Sequence, residues 1–355
     1  MSAEDSPRPV REPIFRRRQS VRISQEALVK TRFFEAGQSC PLVVEPSVEG
    51  LNLANWAKKN LSFIDEKLGL HGAILFRGFR SEGVPDFERF VRDTSGEPLA
   101  YSERSSPRSQ VRGGIYTSTD YPPAHPIFLH NEQSYNTTFP MRIFFYCLAP
   151  SAIGGQTPIA DTRRVLKGLS APTRRRFEEN GYMYVRNFSD GFGLNWRTAF
   201  QTEDPAAVEA YCRDSDIDFE WKKGGRLRTW QVRRVTARHP TTGDLAWFNH
   251  ATFFHLSTLD EEIQHRLRAE FGDEALPNQT YYGDGKPIPP AVLEELRAAY
   301  LAEKTMFPWR EGDVLMLDNM LCAHGREPFE GTRQVVVGMA QPCDWPAVDP
   351  APARR

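Results

Sequence analysis

Residues 127–132 read Ile-Phe-Leu-His-Asn-Glu. Three apolar residues, Ile127 to Leu129, lead into His130, and Glu132 stands two positions on. Alternate side chains of a strand share a face, so this reading sets imidazole and carboxylate side by side as two corners of a metal polyhedron. A second histidine from far along the chain would complete a triad of two histidines and one carboxylate. That donor set suits ferrous iron and leaves three positions open. The tripeptide alone decides little: with eight His and 46 acidic residues in 355, about one His-x-Asp/Glu arises by chance, and the chain has one. On this stretch alone, a strand histidine bonded to its own neighbour is the other reading.

Two further stretches change the weighting. Residues 154–157 read Gly-Gly-Gln-Thr. Residues 312–326 read Gly-Asp-Val-Leu-Met-Leu-Asp-Asn-Met-Leu-Cys-Ala-His-Gly-Arg, followed to position 333 by Glu-Pro-Phe-Glu-Gly-Thr-Arg. Together they resemble the TauD/TfdA (taurine dioxygenase-like) family of iron(II)- and 2-oxoglutarate-dependent oxygenases. His-Asn-Glu-Gln-Ser-Tyr at 130–135, Gly-Gly-Gln-Thr-Pro-Ile-Ala-Asp at 154–161 and Trp-Phe-Asn-His at 247–250 are similar to the branch that contains the syringomycin-pathway aspartyl hydroxylase SyrP. The resemblance spans about Leu51 to Ala340. It implies His130, Glu132 and His324 as iron(II) ligands and catalytic centre, with 2-oxoglutarate as cosubstrate and dioxygen as oxidant.

The segments between these motifs fit a mainly β fold with flanking helices, a double-stranded β-helix (jelly roll) of the clavaminate synthase-like kind. Met141 to Leu148 is a continuous apolar run of strand length, and Gly72 to Gly78 brackets a short buried strand. Pro150 and Gly154-Gly155 mark a turn before a strand carrying Thr157, Val314 to Leu317 is another strand, and the last runs from Gln334 to Met339, ending before Pro342. Leu53 to Leu68 has helical spacing. We expect a basic disordered tail over 1–22, one oxygenase domain over 23–345 and a flexible tail over 346–355. A mixed insertion over about 161–310 is expected to carry helices at 161–180, 204–214, 259–271 and 290–303, with strands at 181–187 and 245–249. By the resemblance, the insertion covers the barrel mouth and helps shape the substrate pocket.

Composition excludes several function classes. The net charge of −1 offers no electrostatic case for a nucleic-acid partner. The five cysteines are widely spaced, form no Cys-x-x-C and suit unpaired thiols of a reducing cytoplasm. No apolar run has the length of a membrane span, and the N-terminus lacks the apolar core of a signal peptide, so a cytoplasmic protein is expected.

A dicarboxylate cosubstrate needs a cation at its far end, and a planar guanidinium suits a carboxylate. Arg333, nine residues past His324, is the first candidate, with the Thr157 hydroxyl as second donor and Arg326 as fallback. Taurine dioxygenase itself places this arginine somewhat farther from its distal histidine. His324 also has a structural alternative, a turn histidine bonded to Asp318.

For the substrate, the SyrP likeness implies β-hydroxylation of an amino acid, free or tethered to a peptide-synthetase carrier protein, in specialised metabolite (antibiotic) biosynthesis. Asn249, His250, Arg186 and Arg197 are candidate substrate contacts; Arg238 is a weaker one, and His255, among Phe253, Phe254 and Leu256, reads as a core histidine. Glu132 argues against halogenation, since related halogenases lack that carboxylate. Desaturation or cyclisation of a small carboxylate or amine, a non-catalytic metabolite-binding jelly roll and a zinc hydrolase stay as alternatives, although no His-Glu-x-x-His occurs for the last.

Overall fold

A computed structural model describes residues 28–99, 108–118, 121–189 and 193–348. The tail expected over 1–22 lies outside the described residues, as does 349–355.

The long strand Thr138–Ala149 is the spine of an eight-stranded sheet. On one side of it lies Val314–Asp318 and on the other Gln334–Asp344, both antiparallel to it. Ala73–Phe76, Leu42–Pro46 and Val29–Arg32 extend the first side; Ile115–Thr117 and Gln110–Arg112 extend the second. The apolar runs are continuous because both faces of the sheet are covered. Ile143, Phe145, Leu315, Leu317, Val335 and Val337 point between the sheets. Phe144, Tyr146, Met316 and Val336 point outward, against the helices Leu53–Ala57, Leu61–His71 and Val84–Ser95.

Opposite stands a three-stranded sheet in the order Ile127–His130, Cys322–Arg326, Ile159–Asp161. The two packed sheets make the expected jelly roll. Gly325 is required where its strand crosses Ile127–His130, since a Cβ there would stand 2.5 Å from the Ile127 carbonyl oxygen.

Two boundaries differ from expectation. The final strand runs through Pro342 to Asp344, because Pro342 faces Pro140 across the pair and neither is asked for an N–H. The packed chain also continues past 345: Trp345–Val348 is helical, Val348 is buried, and the Trp345 indole donates to the Ser134 carbonyl oxygen at 3.1 Å.

Within 161–310 the helical stretch expected over 161–180 is two helices, Thr162–Gly168 and Ala171–Asn180. Ser170 caps the second, and Pro172 sits in its first turn, which restarts the helix there. The other helices fall at Pro205–Asp214, Glu261–Phe271 and Pro290–Ala302, and expected strands appear as Tyr182–Phe188 and Leu245–Trp247. Tyr182–Phe188 belongs to a four-stranded sheet with Arg226–Arg233, Asp218–Lys222 and Asn278–Tyr282, three strands the sequence reading did not mark. A core including Tyr182, Tyr184, Trp247 and Phe254 joins this sheet to Leu129, Ala160 and Ala323 of the three-stranded sheet. The insertion therefore packs against the strands that carry the histidines.

Candidate metal centre

His130 ends its strand and pairs directly across the sheet with His324. Glu132 does not share that strand. It lies in the turn that follows, and a different device brings it to the histidines. The buried Asn319 accepts from the Glu132 N–H at 2.8 Å and donates to the Glu132 and Pro140 carbonyl oxygens at 2.9 and 2.8 Å. Its own carbonyl accepts from the Asn131 side chain at 2.6 Å. One donor atom each from His130, Glu132 and His324 then lies within 4.8 Å of the others, and all three residues are buried.

The turn bearing Asn319 is itself fixed by Asp318. That carboxylate accepts from the Met320 and Leu321 N–H groups, from Arg142 at 2.7 Å and from His239 Nε2 at 3.0 Å. His239 Nδ1 accepts from two backbone N–H groups, so Nε2 is the protonated nitrogen. Arg142 and His239 hold the Asp318 carboxyl below its usual range despite burial. The partner of Asp318 is thus His239, and the alternative that tied His324 to Asp318 does not hold.

The histidines fit a cation. Burial, above all, drives the proton affinities of His130 and His324 down, so both are neutral at pH 7. His130 Nδ1 lies 2.9 Å from the Phe128 carbonyl, which fixes the proton there and turns the Nε2 lone pair toward the cluster. His324 Nε2 stands 3.9 Å from Glu132 Oε2. Phe253 stacks on His130 at 4.3 Å and Phe145 packs on His324 at 5.2 Å, so apolar walls surround the donors. The sequence reading missed one neighbour: Arg108 Nη2 donates to Glu132 Oε2 at 2.7 Å.

Thr157 lies two residues ahead of its expected strand, beside Ile159, which pairs with His324. Its Oγ1 accepts from Trp309 Nε1 at 3.1 Å and Arg333 Nη2 at 3.4 Å, leaving its own O–H to donate. Arg333 also donates to the Gly155 carbonyl oxygen at 2.8 Å and the Ser118 hydroxyl at 3.3 Å. Burial pulls its pKa down to about 10, so the guanidinium stays charged at pH 7. Among the described residues no carboxylate pairs with it. A Cβ on Gly155 would press on the Ser151 hydroxyl and stand 3.0 Å from Arg333 Cδ, which accounts for glycine at that position. Arg326, the fallback, donates instead to the carbonyl oxygens of Tyr121, Pro122 and His125. It ties a loop together and forms no ion pair with an acid of the described chain.

The substrate candidates separate. His250 is buried, with Nδ1 2.6 Å from the Ser134 hydroxyl and its ring 5.8 Å from that of His130. Asn249 turns its amide to Val235 and Ala251 backbone and is a scaffold residue. Arg186 is buried on the same strand face as Tyr184, stacked over Phe188 at 4.5 Å. Arg197 lies on the surface, paired with Glu203 at 2.8 Å, and Arg238 is exposed, so neither is enclosed with the triad. His255 bonds Ser257 at 2.8 Å and is half-buried, as a satisfied packing histidine would be.

The model of the family described as taurine catabolism dioxygenase TauD, TfdA family, matches residues 37–340. The chain belongs to that family. A relative, the dapdiamide synthesis protein DdaC of Enterobacter agglomerans, is 42% identical over 289 residues, covering 81% of this chain and 88% of that one. Two solved structures share the fold at 14% identity. PvcB of Pseudomonas aeruginosa has a TM-score of 0.52 over 88% of this chain and 90% of its own. An asparagine oxygenase solved with Fe(II), 3-hydroxyasparagine and succinate has a TM-score of 0.50 over 80% of this chain and 78% of its own. This TauD/TfdA protein is an iron(II)- and 2-oxoglutarate-dependent dioxygenase. All five cysteines are free thiols, and no helix of the described residues is long and apolar enough to cross a membrane.

Proposed function

We propose that the chain hydroxylates an unactivated C–H bond of an amino acid, at the β-carbon, with His130, Glu132 and His324 holding the iron and Arg333 and Thr157 receiving 2-oxoglutarate. The observation that carries the site assignment is the pairing of a buried His-Glu-His cluster with a buried guanidinium that has no acidic partner among the described residues. Iron, once bound, couples decarboxylation of 2-oxoglutarate to oxidation of the substrate by dioxygen. The chain supplies position and exclusion. Arg333 gives a fixed positive charge for the far carboxylate, and the Thr157 O–H adds a donor to it. Phe253 on His130 and Phe145 on His324 keep water from the reacting groups.

The amino-acid reading rests on the relation to a dapdiamide synthesis protein and on a fold shared with an asparagine oxygenase. His250 and Arg186, buried on the insertion side, are the substrate contacts we favour, and a carrier-tethered amino acid is the second form of substrate to test. The experiment is aerobic incubation of the iron-loaded protein with 2-oxoglutarate and single amino acids, free or loaded on a carrier domain. Succinate release with a product 16 mass units heavier is expected for one class. Succinate release with loss of two mass units would replace hydroxylation by desaturation.

A further inference from the structure

Arg108 stands 24 residues before Glu132 and belongs to no motif, yet its guanidinium bonds the triad carboxylate. Its Nη2 lies 2.7 Å from Glu132 Oε2, with the two side chains 6% and 4% exposed. The same oxygen faces His324 Nε2 at 3.9 Å. Among the described residues no other lysine or arginine bonds a triad side chain.

A fixed cation bonded to the only anionic donor has two consequences. It holds one carboxylate oxygen in a set direction through a charge-assisted bond. It also opposes any second cation and favours any anion that enters the same low-dielectric space. A divalent ion brought to Glu132 therefore meets repulsion, and a dianion arriving with the ion relieves it. We propose that Arg108 is a positioning residue that couples the two cofactors, weakening the hold of the triad on bare metal and strengthening the binding of 2-oxoglutarate to the metal-loaded site. This rests on the triad assignment above.

The test is calorimetric titration of the full chain with manganese(II), then of the manganese-loaded protein with 2-oxoglutarate, for wild type, Arg108→Met, Arg108→Lys and Glu132→Ala. In Arg108→Met the metal alone is expected to bind on the order of tenfold tighter and 2-oxoglutarate on the order of tenfold weaker, whereas Arg108→Lys stays near wild type. A purely structural arginine would weaken both together. That result, two unchanged constants, or a lysine variant matching methionine would each overturn the coupling. Unaltered manganese binding in Glu132→Ala would overturn the triad assignment, and the coupling with it. Circular dichroism checks each fold, and Arg108→Gln takes the place of Arg108→Met should the latter not fold.

Discussion

Arg333 is a buried guanidinium bonded only to neutral acceptors, the arrangement the proposed 2-oxoglutarate site would use. A guanidinium taken from water without an anion is costly, and the bonds to Gly155, Ser118 and Thr157 offset that only with neutral acceptors. An incoming carboxylate therefore gains from a cation already desolvated and aimed. Arg333→Met is expected to weaken 2-oxoglutarate binding on the order of a hundredfold while metal affinity changes little, as read by the same titrations. Equal losses of both would show that Arg333 holds the fold of the centre and not the cosubstrate. The sequence singles out Arg333 on chemical grounds, since a dicarboxylate needs a cation and one stands close after the distal histidine; the structure adds that this guanidinium is buried beside Thr157. Arg108 was not legible, since nothing in its local sequence marks a residue that folds back onto Glu132.

At the scale of the element, the triad depends on the turn from Asp318 to Leu321. Asn319 satisfies one buried N–H and two buried carbonyls around Glu132, so Asn319→Ala leaves several polar groups unpaired. We expect a loss of about 3 kcal/mol in urea unfolding together with weaker manganese binding. A stability loss below about 1 kcal/mol would mean that the turn is held by Asp318 alone. The glycines separate two functions in the same way. Gly155→Ala presses on Arg333 from a backbone with φ of +68° and should impair 2-oxoglutarate binding while leaving the metal site intact. Gly325→Ala pushes apart the strands that carry both histidines and should abolish metal binding. The sequence placed His130 and Glu132 together for the wrong reason. Strand alternation made them neighbours on paper, whereas a turn clamped from 187 residues away makes them neighbours in space, and no local pattern encodes such a clamp.

Over the whole molecule, the paired sheets and most insertion helices were legible because continuous apolar runs, proline starts and glycine stops are local signals. The strands at 218–222 and 226–233 alternate in burial, but their outward positions carry Asp218, Glu220, Lys222, Arg226 and Arg228, and so high a charge over short segments masks the strand signal. Their inward residues Phe219, Trp221 and Leu227 are covered by Phe188, Trp196 and Val208, which come from other parts of the insertion. The fold also sets an acid limit. Burial holds His130, His250, His255 and His324 below the usual histidine range, His255 at about 4. The unfolded chain binds these protons near pH 6.5 while the folded one does not, so stability is full above that pH and falls as pH drops toward 4. For His255 the loss is on the order of 3 kcal/mol, and His255→Gln should flatten the fall in urea midpoint between pH 7 and pH 4.

In the proposed centre one buried cluster holds iron and, beside it, 2-oxoglutarate. Anaerobic titration of metal-free protein with iron(II) and 2-oxoglutarate tests it most directly, by the weak visible absorption that a chelated α-keto acid gives to ferrous iron. The band is expected in wild type, is expected to be lost in Glu132→Ala, and should appear in Arg333→Met only at much higher 2-oxoglutarate. A folded wild-type protein that gives no band, or a Glu132→Ala variant that keeps it unchanged, would show that His130, Glu132 and His324 do not form the iron site.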